Sequence, residues 1–178
     1  MKETQVLDKR FREIISEEAI IRRVEEMAGE INRDFSGQDV VFLGILNGAF
    51  LFAAELFRRI DLKARISFVK LASYEGTRSS GAVKELIGWN EDIKGMQVIV
   101  IEDIVDTGHT LERIAGELKI RKVAGMKIAT LLYKPDAYKK KIPIDYVGFE
   151  IPNDFVVGHG LDYDGYGRNL PGVYTLIK

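Results

Sequence analysis

Two apolar runs of strand length, each passing through a polar turn into a helical pattern, restrict this chain to an α/β design. Val40–Leu46 and Gln97–Ile101 (QVIVI) are continuous rather than alternating, the pattern of strands covered on both faces. The first passes through Asn47-Gly48 into a helical stretch over Ala49–Ile60. The second passes through Glu102–Thr110 into a helix from about Leu111 to Leu118. Further strands are read at Arg65–Leu71, Val123–Tyr133 and Asp145–Phe149. Ahead of them, Ser16-Glu17-Glu18 reads as a hydroxyl cap followed by acids at the positive end of a helix dipole. Ile20, Val24, Met27, Ala28 and Ile31 then keep helical spacing, and Gly37 marks the stop. Such alternation predicts an α/β fold, a parallel sheet flanked by helices with right-handed crossovers. Ligands bind these sheets beyond the carboxyl ends of the strands. That rule points to Leu46-Asn47-Gly48 and to Glu102–Thr110.

The length of 178 residues matches one domain with a sizeable core. With 26 basic against 27 acidic residues, a net charge of −1, whole-surface binding to nucleic acid or an anionic membrane is not expected. The absence of cysteine removes disulfides, thiolate metal sites and cysteine nucleophiles together. Two histidines do not build a three-histidine centre, so any metal is expected to be a hard ion on oxygen ligands, such as Mg2+. Met1–Phe11 is polar and mixed in charge, unlike a signal peptide. The longest uncharged apolar run, Val40–Ala54, falls short of the roughly 20 residues a membrane helix needs, and a cytoplasmic location is expected. A polar, glycine-containing loop spans Ser73–Val83, the kind of long loop that tends to be functional. All four prolines fall within the last 44 residues, so that third is expected to be loops and short strands.

Three carboxylates, Glu102, Asp103 and Asp106, follow the best core strand directly, and crowded like charges require an offsetting cation or strong donors. Thr107-Gly108-His109-Thr110 then opens a helix, where free amides, hydroxyls and a permissive glycine make a phosphate cradle. Acids beside such a cradle suit a ligand carrying both a sugar and a magnesium-bound phosphate. The simpler alternative is a helix cap, with Asp106 or Thr107 capping and the other acids solvated. No G-x-x-x-x-G-K-[ST] loop is present.

Val98–Thr110, VIVIEDIVDTGHT, resembles the phosphoribosyl-diphosphate signature of type I phosphoribosyltransferases: an apolar strand, two acids, two apolar residues, then D-[TS]-G-x-T. From about residue 40 onward the chain is similar to their hypoxanthine-guanine branch. Leu46-Asn47-Gly48 resembles the diphosphate loop, Ser73-Tyr74 the start of the mobile catalytic loop, and Leu131-Leu132-Tyr133-Lys134 the segment bearing the purine-binding lysine. Val147–Pro152, Phe155–Gly158 and Leu161-Asp162-Tyr163 resemble the base-binding hood, and Arg168-Asn169-Leu170-Pro171 closes the series. The resemblance implies one phosphoribosyltransferase domain over 1–178. Its core would cover about 36–150, and a small hood would be built from about 1–15 and 151–178.

The implied reaction displaces magnesium-bound diphosphate from phosphoribosyl diphosphate by a purine nitrogen, giving IMP or GMP. Catalysis would be mostly positioning and electrostatics around an oxocarbenium-like transition state. By the same resemblance, Glu102 and Asp103 would face the ribose hydroxyls directly or through Mg2+, and Asp106 would be the general base. Asp106, Thr107, Gly108, His109 and Thr110 would hold the sugar's phosphate. Leu46, Asn47, Gly48 and Arg168 would meet diphosphate. Lys134, Phe155, Val156 and Asp162 would bind the purine, with Asp162 also holding a second Mg2+. Ser73 and Tyr74 would close over the reaction. Each has a plainer alternative: an Asn-Gly turn, a solvated lysine, a core phenylalanine, Asp-Tyr-Asp turn chemistry, a surface ion pair.

Many relatives carry lysine or arginine where this chain has Asn47, which leaves more of the diphosphate to backbone and metal. His109 and His159 also depart from the common pattern and receive no catalytic role. The partners implied are a 6-oxopurine and phosphoribosyl diphosphate, with a homodimer or homotetramer as the family habit. A xanthine-preferring enzyme remains open. A regulator sensing phosphoribosyl diphosphate and binding nucleic acid is disfavoured by the near-zero net charge and by the presence of Asp106, Lys134 and Asp162.

Overall fold

The protein is described by a computed structural model, which covers residues 2–71, 85–87 and 92–177. In chain order its elements are β1 (Glu3–Val6), β2 (Lys9–Ile15), α1 (Glu17–Asp34), β3 (Asp39–Leu46), α2 (Phe50–Phe57), β4 (Lys63–Leu71), β5 (Glu85–Ile87), β6 (Gln97–Val105), α3 (His109–Ile120), β7 (Gly125–Tyr133), β8 (Tyr146–Glu150), β9 (Val156–Val157) and β10 (Val173–Leu176). The main sheet has the order β5-β4-β3-β6-β7-β8; β4, β3, β6, β7 and β8 are parallel and β5 is an antiparallel edge. The expected parallel α/β sheet is what forms.

Strand alternation divides the core between two faces. Phe42, Ile99 and Ile101 pack with Val24, Met27 and Ile31 of α1 and Phe52 and Leu56 of α2. Val41, Val98 and Val100 pack with Leu111, Ile114 and Leu118 of α3. Each fully buried Leu or Ile of this kind contributes about 1.5–3 kcal/mol relative to exposure. Ser16 caps α1 by accepting from the Ala19 amide at 3.3 Å, as the sequence predicts. Arg23 ties the same helix to β8, donating to the Val147 carbonyl oxygen through Nε at 3.1 Å and Nη2 at 2.9 Å.

A second, antiparallel sheet of order β1-β2-β10-β9 joins the two ends of the described chain. Val6, Phe11, Val157 and Tyr174 form its own small core. The N-terminal hairpin was not legible as strands. Its loop is the two-residue Leu7-Asp8, with Leu7 at φ 52°, rather than the Asn-Gly or Asp-Gly that announces such a turn. The order of the main sheet reverses between β3 and β6, since β3 leads to β4 on one side and β6 to β7 and β8 on the other. A crevice at such a reversal, beyond the carboxyl strand ends, is where α/β sheets bind ligands.

Candidate active site

Beyond β3, the chain turns at Leu46-Asn47-Gly48, where the Leu46–Asn47 peptide bond is cis. Asn47 is exposed, and its carbonyl accepts from the Phe50 amide at 3.3 Å. Gly48 lies hard against the end of β6: a Cβ there would overlap the Asp103 carboxylate. From the other side comes Gly160, whose own Cβ would overlap the Gly48 carbonyl oxygen. Three segments distant in sequence therefore close on one point, and glycine is required where they touch. Gly48→Ala should displace Asp103 and lower kcat/KM by roughly tenfold or more, the scale of overpacking a tight site by 1–3 kcal/mol. An alanine variant with unchanged kcat/KM would show that this contact does not matter.

Glu102 and Asp103 do not follow the strand, as the sequence reading had them, but belong to it: β6 runs on to Val105, with Glu102 opposite Thr130 and Ile104 opposite Leu132. Burial is the result. It pushes the Glu102 carboxyl well above the usual range, with the neighbouring Asp103 adding to the effect. Burial likewise raises Asp103 to about 6, against hydrogen bonds from its own and the Ile104 amide and the Arg168 charge, which lower it, while Asp162 raises it. Glu102 Oε2 is buried with no hydrogen-bond partner among the described residues. Desolvated carboxyls of this kind are built to meet a cation or hydroxyl donors that arrive with a ligand.

The turn after β6 leads directly into α3. Gly108 occupies the cap position in the left-handed region at φ 84°, and no side chain caps the helix there. The capping alternative for Asp106 and Thr107 is therefore not what the structure adopts. Instead the first amides of α3, which have no intrahelical acceptors, are left to a ligand. Gly108 is also closed in by Tyr138 and Lys140, so a side chain would not fit. Thr107 and His109 are exposed and Thr110 half-buried at the helix entry.

Lys134 emerges at the end of the adjacent β7, its amide held by the Val105 carbonyl at 2.9 Å. The residue is 9% exposed, far from the solvated lysine of the plainer reading, and its Nζ donates to Asp106 Oδ2 at 3.2 Å. The described structure thus brings a buried ammonium and a carboxylate together beside the amides of α3. Phe155 presents an exposed ring backed by Phe11, at 6.2 Å between centroids, and Tyr163, at 5.9 Å edge to face. Val156 is buried in β9.

Asp162 and Arg168 form an ion pair at 2.6 Å, and Asp162 Oδ2 also accepts from the Gly165 amide at 2.7 Å. Turn chemistry and charge pairing are both present in one residue. Arg168 Nη1 donates to the Gly160 carbonyl at 2.6 Å, which places the guanidinium at the turn abutting Gly48. Ser73 and Tyr74 lie outside the described residues.

The phosphoribosyl transferase domain family matches residues 12–164. The hypoxanthine-guanine phosphoribosyltransferase of Aquifex aeolicus is 40% identical over 97% of this chain and 98% of its own. That of Streptococcus pyogenes is 42% identical over 92% of this chain and 91% of its own. The crystal structure of a hypoxanthine-guanine phosphoribosyltransferase from Bacillus anthracis superposes with a TM-score of 0.86 at 39% identity, covering 94% of this chain and 97% of the other. The chain belongs to the hypoxanthine-guanine phosphoribosyltransferase family.

Among the described residues no three carboxylate or histidine side chains gather into a ready-made metal cage. A surface hollow of about 860 Å³, lined by Asn32, Asp39 and Lys63 among others, lies by the starts of β3 and β4, away from this site. No helix among the described residues is long and apolar enough to cross a membrane. Two parts of the site were not legible as such. Phe11 supports Phe155 from the unrecognised hairpin, where Lys-Arg-Phe-Arg-Glu buries its single aromatic between charged neighbours. Gly160 carries no chemical signal of its own; only its contact with Gly48 reveals it.

Proposed function

We propose that the chain transfers the phosphoribosyl group of 5-phosphoribosyl-1-diphosphate to hypoxanthine and guanine, releasing diphosphate and forming IMP and GMP for purine salvage. The buried Lys134 ammonium 3.2 Å from the Asp106 carboxylate, beside the open amides of α3, carries this reading. A 6-oxopurine offers an acceptor at position 6 to Lys134 and a ring N–H to Asp106, so one planar ring answers both groups. Adenine, with an amino group at position 6, offers no acceptor there to the Lys134 ammonium. Phe155 supplies the stacking face and Val156 the backbone at the ring's edge, and the small sheet forms a hood over the base.

The sugar phosphate is held by the amides and hydroxyls from Asp106 to Thr110, where the dipole of α3 favours an anion. Leu46, Asn47, Gly48 and Arg168 hold the diphosphate, and Glu102 and Asp103 orient the ribose. As the bond to diphosphate breaks, Asp106 takes the proton from the attacking purine nitrogen, which is general-base work. Ser73 and Tyr74 complete the closed site and exclude water.

The desolvated carboxyls of Glu102 and Asp103, with Glu102 Oε2 unpartnered among the described residues, fit a hard cation whose remaining ligands come from the substrate. Magnesium bound with phosphoribosyl diphosphate would be held by Glu102 and Asp103, and a second ion by Asp162. When bound it supplies positive charge against the leaving diphosphate. A cytoplasmic homodimer or homotetramer goes with this reading.

Turnover with phosphoribosyl diphosphate, magnesium and each of hypoxanthine, guanine, xanthine and adenine tests it. Hypoxanthine and guanine should react and adenine should not. Xanthine as the best substrate would move the specificity, and tight phosphoribosyl diphosphate binding without turnover would indicate a sensor.

A further inference from the structure

His159 is the buried titratable group that this mechanism leaves unused. It is 5% exposed and occupies the first central position of a two-residue turn, Gly158–Leu161, closed by reciprocal backbone hydrogen bonds of 3.0 Å. Both central residues lie in the left-handed region, His159 at φ 44° and Gly160 at φ 103°. This is the hairpin turn that usually takes asparagine or glycine, and histidine needs a reason to be there. Its ring provides one. Nδ1 lies 3.1 Å from the Pro171 carbonyl oxygen, and a carbonyl only accepts, so Nδ1 carries the proton. Nε2 is then a bare acceptor, buried and without a partner among the described residues.

That hydrogen bond is one of four between the turn and the segment from Arg168 to Pro171. The His159 amide donates to the Leu170 carbonyl at 2.8 Å and the Gly160 amide to the Arg168 carbonyl at 2.9 Å; Arg168 Nη1 returns to the Gly160 carbonyl at 2.6 Å. Of the two imidazole and guanidinium bonds, only that of His159 anchors the far end of the segment. At its tip the same turn presses on the Gly48 carbonyl. The His159 ring is thus fastened to the one turn that carries Arg168 on one side and the proposed diphosphate loop on the other.

We propose that His159 is a positioning residue for diphosphate binding: by donating from Nδ1 to the Pro171 carbonyl, it holds Arg168 and Gly160 against the Leu46–Gly48 loop. The inference rests on the diphosphate assignment of that loop. It acts on one substrate and not the other, because Phe155 and Lys134 are held by different contacts, with Phe11 and Tyr163 in one case and Asp106 in the other. Burial holds the imidazole below its ordinary pKa and keeps it neutral near neutrality, although the Glu55 and Glu17 charges and the Pro171 hydrogen bond oppose this.

His159→Phe keeps the ring's bulk and removes the donor, whereas His159→Gln keeps a side-chain N–H. In steady-state kinetics with both substrates varied, His159→Phe should raise KM for phosphoribosyl diphosphate about tenfold, leave KM for the purine within about twofold, and be largely rescued in His159→Gln. Equal rises in both KM values, or no change for phosphoribosyl diphosphate, would overturn the inference. The imidazole 15N spectrum of the unaltered protein provides a measurement that needs no variant to fold and no turnover. It contains two histidines. His159 should show the Nδ1–H form at neutral pH, and its resonance should move on adding magnesium diphosphate and not on adding hypoxanthine alone. An Nε2–H form, or no response to diphosphate, would sink the proposal even in an active enzyme. Absence of turnover with any purine would instead strike the reading of the site as a purine phosphoribosyltransferase.

Discussion

Asp106→Asn should lower kcat by roughly 10²–10⁴, the range for loss of a positioned general base. The asparagine is nearly isosteric and can still receive a hydrogen bond from Lys134, now at 3.2 Å from the carboxylate. The neighbouring amides of α3 are untouched, so substrate binding should change far less than the chemical step. KM values within a few-fold of the unaltered protein, beside a collapsed kcat, would separate proton abstraction from binding. The Asp106 side chain is about half exposed, 47%, so the substitution creates no cavity and should leave the fold intact. Near-normal turnover in this variant would remove Asp106 from the base role and leave positioning alone to account for the rate.

The opposite trade is expected at the end of β6. Glu102→Gln and Asp103→Asn, alone or together, should make the ligand-free protein more stable while disabling it. A carboxyl raised in the folded state favours its protonated form there. Below about pH 4 Asp103 is neutral in folded and unfolded chains alike and costs nothing. Between about pH 4 and pH 6 the unfolded chain ionises first, and above about pH 6 the folded protein bears the full penalty. Moving a carboxyl from 3.8 to about 6 corresponds to about 3 kcal/mol at neutral pH. For a chain of this size that is about 6–12 °C in Tm. Thermal melts with a chelator present should therefore show the gap between Asp103→Asn and the unaltered protein opening as pH rises from 4 to 7. With magnesium and phosphoribosyl diphosphate present, the order should reverse, because only the native carboxyls gain from the ligand. A variant less stable than the parent at pH 7 without ligand would contradict the burial argument.

The parts of the site that sequence patterning revealed are those whose chemistry and local structure agree. Asp106-Thr107-Gly108 announces a turn that must admit a left-handed residue and open a helix, and Gly108 does both. Asn47-Gly48 announces a break between an apolar strand and an apolar helix. Local signals mislead where tertiary contacts overrule them. Charge at Glu102 and Asp103 argued for ending the strand at Ile101, yet pairing with β7 carries it to Val105, burying Glu102 and half-burying Asp103. The N-terminal hairpin disappeared behind its charges because only Val6 and Phe11 face its small core, and Leu7-Asp8 lacks turn chemistry. His159 looked like an uninformative substitution. Its significance rests on the Pro171 carbonyl twelve residues away, which no local pattern encodes.

The small antiparallel sheet also imposes an order of events during synthesis. β2 pairs with β1 on one side, but its other edge is filled by β10, and the Tyr174 hydroxyl meets Glu13 across 161 residues of chain. A growing polypeptide can assemble the parallel strands and their helices as they emerge, but the first hairpin keeps one edge open until β10 has been made. Unpaired strand edges of that kind are where nascent chains misassociate. Arg10, Arg12 and Glu13 put charge along β2, which disfavours pairing of an open edge with a stray strand. The two sheets thus mature at different times, and the small antiparallel one closes after the parallel one.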